Sequence, residues 1–143
     1  MTPLSFSQSI DIIAAHEAVF AVMSDVEHWH EWTPSVTSIT RLDSGPFVVG
    51  SRARVRQPKL PPALWTVSSI EPGRSFTWIS RGPGILVTAH HSAEPHNGGS
   101  RATLSIRYDG LLAKLLAWMT KDLNERYLTM EANGLKGRCE KGV

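Results

Sequence analysis

The spacing of apolar positions divides the chain into segments of two different periods. Residues 5–13 alternate, with Ile10 and Ile12 on one face, and predict a first strand. Residues 16–24 switch to helical spacing through Val19, Phe20 and Met23, which predicts a short amphipathic helix. Asp25 then stands where it would cap a second short helix carrying the stretch EHWHEWTP, residues 27–34, with Pro34 beyond its end. Period-two segments follow at 36–42, 51–57, 63–71, 75–81, 85–94 and 100–109. They are separated by turn formers such as Pro72-Gly73-Arg74 and Asn97-Gly98-Gly99. Connections this short join antiparallel neighbours, because parallel strands need long crossovers. From Leu111 to about Cys139 there is no proline, and Leu112, Leu115, Leu116, Met119, Leu123 and Met130 recur along one stripe. That predicts one unbroken helix. A second stripe, Leu128, Ala132, Leu135 and Cys139, lies on another side of its last turns. The sum is an α+β layout: a seven-stranded antiparallel sheet with one face buried by a long C-terminal helix, and two short helices after the first strand.

Alternation also assigns faces. Arg52, Arg54 and Arg56 share one side of their strand, a solvated face, and leave the small pair Ala53 and Val55 inside. In 85–94 the apolar set Val87, Ala89 and Ala93 takes His91 inward with it and turns His90 outward. Ala102, Leu104, Ile106 and Tyr108 form the inward set of the last strand, and Trp65, Val67, Phe76 and Trp78 add large side chains to the same interior. Small residues on some inner strands and tryptophans on others predict a shaped cavity, against the plainer alternative of a filled aromatic core.

Length and composition narrow the class. At 143 residues, 41% hydrophobic and 20% charged, the chain suits one globular domain over 1–143. A net charge of +2 with dispersed arginines does not point to nucleic acid. No apolar run is long enough for a bilayer, so no membrane insertion is expected. The N-terminal residues lack the pattern of a secretory leader, and the single cysteine fits a reducing, cytoplasmic setting.

The histidine-rich stretch is the first candidate for chemistry. A zinc-protease helix needs His-Glu-x-x-His, and here Pro34 and Phe20 occupy the final positions of the two His-Glu starts. On a helix His28 and His30 point apart, whereas Trp29 and Trp32 share a face. The reading is therefore a tryptophan plug over one end of the interior, with no metal and no cofactor. Cys139 lacks a basic partner, and no nucleophile elbow or phosphate loop occurs. An inward His91 remains as a general acid or base, with Tyr108 or Tyr127 as donors to a carbonyl or enolate; a hydrogen-bonded core histidine is the plain alternative. Arg126 either meets a ligand carboxylate, snorkels out to solvent or pairs with Asp122 four residues earlier.

The order of elements and four stretches resemble the START-like (SRPBCC) helix-grip proteins, in their polyketide cyclase/dehydrase-like branch. The stretches are IDIIAAHEAVFAVMSDVEHWHEW, WTVSSIEPGRSFTW, AHHSAEPHNGGSRATLSI and LNERYLTMEANGLKGRCE, which together span nearly the whole chain. His30 stands where relatives often have proline. The resemblance implies a curved sheet gripping the C-terminal helix around a hydrophobic ligand cavity. Members bind lipids, sterols, hormones or polyketides, and some cyclise or dehydrate them.

The expected function is binding of a small hydrophobic ligand (aromatic, polyketide-like or lipid-like) by Trp65, Phe76, Trp78, His91, Tyr108, Met119, Leu123, Tyr127 and Met130. The alternatives are a cyclase or dehydratase with His91 as its acid/base, and a protein–protein module, a homodimer, using an exposed tryptophan face.

Overall fold

The computed structural model describes residues 4–141. Seven strands form one antiparallel sheet: β1 (Ser5–Ile12), β2 (Ser38–Arg41), β3 (Arg52–Arg56), β4 (Ala63–Glu71), β5 (Ser75–Gly82), β6 (Ile85–His96) and β7 (Gly99–Asp109). Their order is β1-β7-β6-β5-β4-β3-β2, so β2 to β7 are consecutive neighbours and β1 closes on β7. Between β1 and β2 run α1 (His16–Ser24) and a 3-10 helix (Val26–Glu31); α2 (Ala113–Met119) and α3 (Lys121–Lys141) end the chain. This is the α+β helix-grip arrangement expected from the sequence.

Local chemistry accounts for the strand joints. Asn97 and Gly98 both have positive φ, 48° and 80°, the pairing that lets a two-residue turn follow the twist of β6 and β7. The strand faces follow the alternation: Ala53 and Val55 are buried and their three arginine neighbours exposed, and Ala89, His91 and Ala93 are buried together.

Three local expectations are corrected. The second short helix is 3-10, and Asp25 does not cap it; its Oδ1 instead takes the Nδ1 of His28 at 2.8 Å. The tail is also not one helix. Gly110, at φ 111°, delays the start, and the helix breaks at Thr120, with φ −107° and ψ 8°. Thr120 Oγ1 donates to the Leu116 carbonyl at 2.6 Å, a side-chain bond that competes with the helical ladder, and Asn124 Nδ2 donates to Thr120 Oγ1 at 3.1 Å. The buried face nevertheless runs on across the break in helical phase, and it is not the expected apolar stripe. Ala113 and Ala117 point inward on α2, while Leu112, Leu115 and Met119 of the expected stripe are exposed. On α3 the buried set is Asn124, Tyr127, Leu128, Glu131, Ala132 and Leu135.

α3 packs mainly on β1, β7 and α1. At Gly134 it comes so near the 3-10 helix that a Cβ would lie 1.9 Å from the carbonyl oxygen of Trp32. Gly137, one turn on, faces open space. Helix propensity favours alanine over glycine by about 1 kcal/mol at either position. Gly137→Ala is therefore expected to stabilise the fold by up to about 1 kcal/mol, whereas Gly134→Ala destabilises it by about 2 kcal/mol or more through the forced backbone shift. Urea unfolding of the two variants measures the contrast, and equal effects would refute the close approach.

Candidate functional site

Because α3 packs on β1, β7 and α1, it stands off from the inner faces of β3 to β6, where, among the described residues, only α1 packs on β6. A cavity of about 450 Å³ fills the gap between these strands and the C-terminal helices. Its walls are largely apolar: Val55 from β3, Trp65 from β4, Trp78 from β5, Val87 and Ala89 from β6, and Leu128 from α3.

One wall is an aromatic stack. Phe76 lies flat on His91 with ring centroids 4.3 Å apart, and Trp29 meets His91 edge-on at 5.3 Å. Trp78 touches both Trp29 and Trp65, with centroids 5.9 and 5.7 Å away. Trp29 is fixed through its indole N–H, which donates to the Met23 carbonyl at 3.0 Å. The EHWHEWTP stretch thus plugs one end of the interior with Trp29, while His28 pairs with Asp25 and His30 is exposed. Trp29 is buried and Trp32 half-buried, so this stretch does not itself present an exposed tryptophan face.

Of the side chains expected to meet a ligand, Trp65, Trp78, His91, Tyr108 and Tyr127 line the cavity. Phe76 stands behind His91, fully buried in the stack, and does not reach it. Met119 points to solvent, 64% exposed, and Leu123 is half-buried outside the lining. Met130 sits in a hollow on the outer side of α3 with Asp122, Glu125, Arg126 and Thr129. Arg126 is exposed there and, among the described residues, forms no ion pair with Asp122. These misplacements share one cause: the C-terminal helices bury the side that carries Ala113, Ala117, Asn124, Leu128 and Leu135, about a third of a turn away from the apolar stripe of the tail.

The polar groups in the cavity came less readily from the sequence. Asn124 donates to the Tyr108 hydroxyl at 2.8 Å, and Tyr108 lies 3.1 Å from Thr120 Oγ1. Since Thr120 donates its own proton to Leu116, the Tyr108 proton goes to Thr120. The Tyr127 hydroxyl donates to the Pro58 carbonyl. Both tyrosine protons are therefore committed to the protein. Glu131 is buried in the lining and accepts a hydrogen bond from Ser35 Oγ at 3.1 Å; Ser35 Oγ is in turn 2.8 Å from Thr33 Oγ1. Among the described residues no cation pairs with Glu131. Its signal was present in the sequence: a carboxylate one residue before Ala132 in the apolar series Leu128, Ala132, Leu135.

Burial sets the charge states. It pushes the Glu131 carboxyl up to about 7, against the lowering effect of the Ser35 bond. It pushes His91 down to about 3, opposed by the Phe76 carbonyl, which lies 3.4 Å from Nδ1. His91 is accordingly neutral at pH 7, with Nδ1–H toward Phe76 and Nε2 left as an acceptor, and is a weak acid–base group there. Burial also raises the half-buried Cys139 thiol to about 11, which keeps it inert.

A raised carboxyl pKa links folding to pH. The protonated Glu131 stabilises the fold fully below its unfolded value, 4.5, and this contribution is lost as pH rises through about 7. Glu131→Gln keeps an acceptor for Ser35 without a charge. It should stabilise the protein by up to about 3 kcal/mol at pH 8.5 and have little effect near pH 4. Denaturant unfolding at the two pH values tests this, and a pH-independent difference would contradict the assignment.

The fold and cavity can now be set beside known proteins. No curated protein matches the sequence. A START superfamily protein from Mycobacterium smegmatis superposes with a TM-score of 0.78 at 17% identity, covering 97% of this chain and 99% of that one. The ZhuI aromatase/cyclase from Streptomyces gives 0.77 at 16% identity, over 96% and 93%. The di-domain aromatase/cyclase StfQ of the steffimycin biosynthetic pathway gives 0.76 at 12% identity, over 98% of this chain and 52% of that one. At such identities the likeness is one of fold. Residues 3–140 match the family described as polyketide cyclase / dehydrase and lipid transport, and the chain belongs to that family.

Proposed function

We propose that the protein binds one small hydrophobic molecule, aromatic, polyketide-like or lipid-like, in the cavity between the sheet and the C-terminal helices. The observation that carries this reading is the volume itself. Protein interiors are packed with few voids larger than a water molecule, and about 450 Å³ falls within the range of small-molecule sites. The apolar walls supply affinity. His91 Nε2 offers an acceptor and Glu131 a carboxyl without a counter-ion, so the ligand is expected to bring a hydroxyl or another hydrogen-bond donor to that end.

A second reading, cyclase or dehydratase, is favoured by one feature. Glu131 has its pKa near neutrality inside a water-poor cavity, the condition for moving a proton to or from a bound substrate. ZhuI and StfQ, which share the fold, are aromatase/cyclase proteins, and this adds support. In this reading Glu131 is the acid/base, and neutral His91 orients the substrate by accepting a hydrogen bond.

Native mass spectrometry of protein purified from its own host is expected to reveal a co-purified small molecule. A solvatochromic apolar dye should bind in saturable fashion, near one per chain, and quench tryptophan emission. Trp78→Ala should weaken that binding while the fold survives; absence of saturable binding by any apolar probe would overturn the reading. With a substrate in hand, Glu131→Gln separates carrier from enzyme. An enzyme loses roughly 100-fold or more in turnover with affinity nearly intact, whereas a carrier shows only a modest change in affinity. His91→Gln is expected to alter affinity in both cases.

A further inference from the structure

Three segments ring the open end of the cavity: residues 57–64 from the end of β3 into β4, residues 80–85 at the β5–β6 turn, and residues 110–121 around α2. All three contribute side chains to the lining, and the Leu112 N–H bonds the Gly84 carbonyl at 2.9 Å, joining α2 to the β5–β6 turn. Tyr127 of α3 holds the first loop through Pro58. On the solvent side this rim is unusually apolar. Leu111 is 95% exposed, Trp118 65% and Met119 64%, with Leu112, Leu115 and Leu64 also exposed. α2 therefore has its amphipathicity largely reversed: small Ala113 and Ala117 face the protein, and of its large apolar side chains only Leu116 turns to the cavity while Leu115, Trp118 and Met119 face out.

The charges of the rim point one way. Lys59, Arg81, Lys114 and Lys121 are all exposed, and the three segments contain no aspartate or glutamate. Among the described residues none of these four cations has an ion-pair partner. The nearest acids in sequence lie just outside: Asp109 is bound to Arg107 at 3.2 Å, and Asp122 begins the outer hollow of α3. The chain as a whole is only +2, so the remainder is net acidic and the positive charge is gathered at the mouth.

We propose that this rim is a docking surface for an anionic lipid bilayer, with α2 lying in the headgroup region and the mouth of the cavity turned to the membrane. Leucine, tryptophan and methionine enter the boundary of the acyl chains while the lysine stems reach to the phosphates. A convex helix that presents separate large side chains suits a fluid surface better than a shaped protein groove. A second copy fits poorly, because a symmetric pairing through this face would set its cations against one another. The attachment is adsorption: no helix among the described residues is long and apolar enough to cross a membrane. A hydrophobic molecule could then pass between bilayer and cavity without crossing water.

The test is sedimentation of the full chain, without added ligand, with vesicles of phosphatidylcholine alone or mixed with phosphatidylglycerol. Binding is expected to the mixed vesicles at low salt, with release by added sodium chloride and a blue shift of emission that disappears in Trp118→Ala. Lys114→Gln with Lys121→Gln should weaken binding roughly 30-fold, and Trp118→Ala with Met119→Ala by roughly 10-fold or more. All four positions are exposed, so unchanged melting temperatures serve as the folding control. No sedimentation with either vesicle would overturn the proposal, as would binding indifferent to phosphatidylglycerol and to the lysines. A concentration-dependent dimer without vesicles, abolished by Trp118→Ala, would assign the surface to a second copy instead. Vesicle binding and dye binding are read separately, so either can fail while the other stands.

Discussion

A single helix cannot cover a seven-stranded sheet. At about 4.8 Å between strands the sheet is about 29 Å wide, whereas a helix with its side chains is about 10 Å across. α3 meets this mismatch by settling on β1, β7 and α1, drawn close to the 3-10 helix at Gly134. The inner faces of β3 to β6 then face an opening that only large side chains or a guest molecule can fill. The cavity, its aromatic wall and its exposed rim all follow from that mismatch of widths.

The aromatic residues fill the plugged end of the opening and leave the rest. Trp29, Trp78, Phe76 and His91 form a connected stack with mutual edge and face contacts, which fixes the imidazole in a place that water does not reach. The same lack of water that holds His91 neutral holds a proton on Glu131 near neutral pH. Two titratable groups are thus moved in opposite directions by one cause, and both end closer to neutral than they would be in solution. A cavity with a neutral acceptor and a nearly neutral carboxyl suits an uncharged guest with a polar end.

At the rim the balance between burial and exposure is reversed. Small alanines of α2 pack inward because the helix sits close over the end of the sheet; Leu115, Trp118 and Met119 are left outside, and Leu116 joins the cavity wall. The apolar surface left exposed in this way lies beside the entrance to the cavity, and the four cations around it belong to the same three segments.

By itself the sequence determined the seven strands, the antiparallel pairing of those joined by short turns, and the faces of residues such as Ala53, Val55, His91 and Leu104; that β1 closes on β7 came from the tertiary structure. Strand alternation has a period of two, and a residue such as His91 is carried inward by Val87, Ala89 and Ala93 whatever its own polarity. It also determined that the Trp29 stretch is a plug, since His28 and His30 diverge while the tryptophans converge. Tertiary structure decided the helical side of the site. No proline or glycine marks the break at Thr120, where a hydroxyl bonds Leu116 and partners on β7 and α3. Met119, Leu123 and Met130 miss the cavity because the helices bury another side, the one carrying Ala113, Ala117, Asn124 and Leu128. The buried stripe of α3 includes Asn124 and Glu131, polar residues that an apolar pattern skips; they are interior because that face lines the cavity and meets Tyr108 and Ser35. A strand inherits its facing from its neighbours in sequence, but a helix can bury any of its sides, and only the surface it packs against selects which.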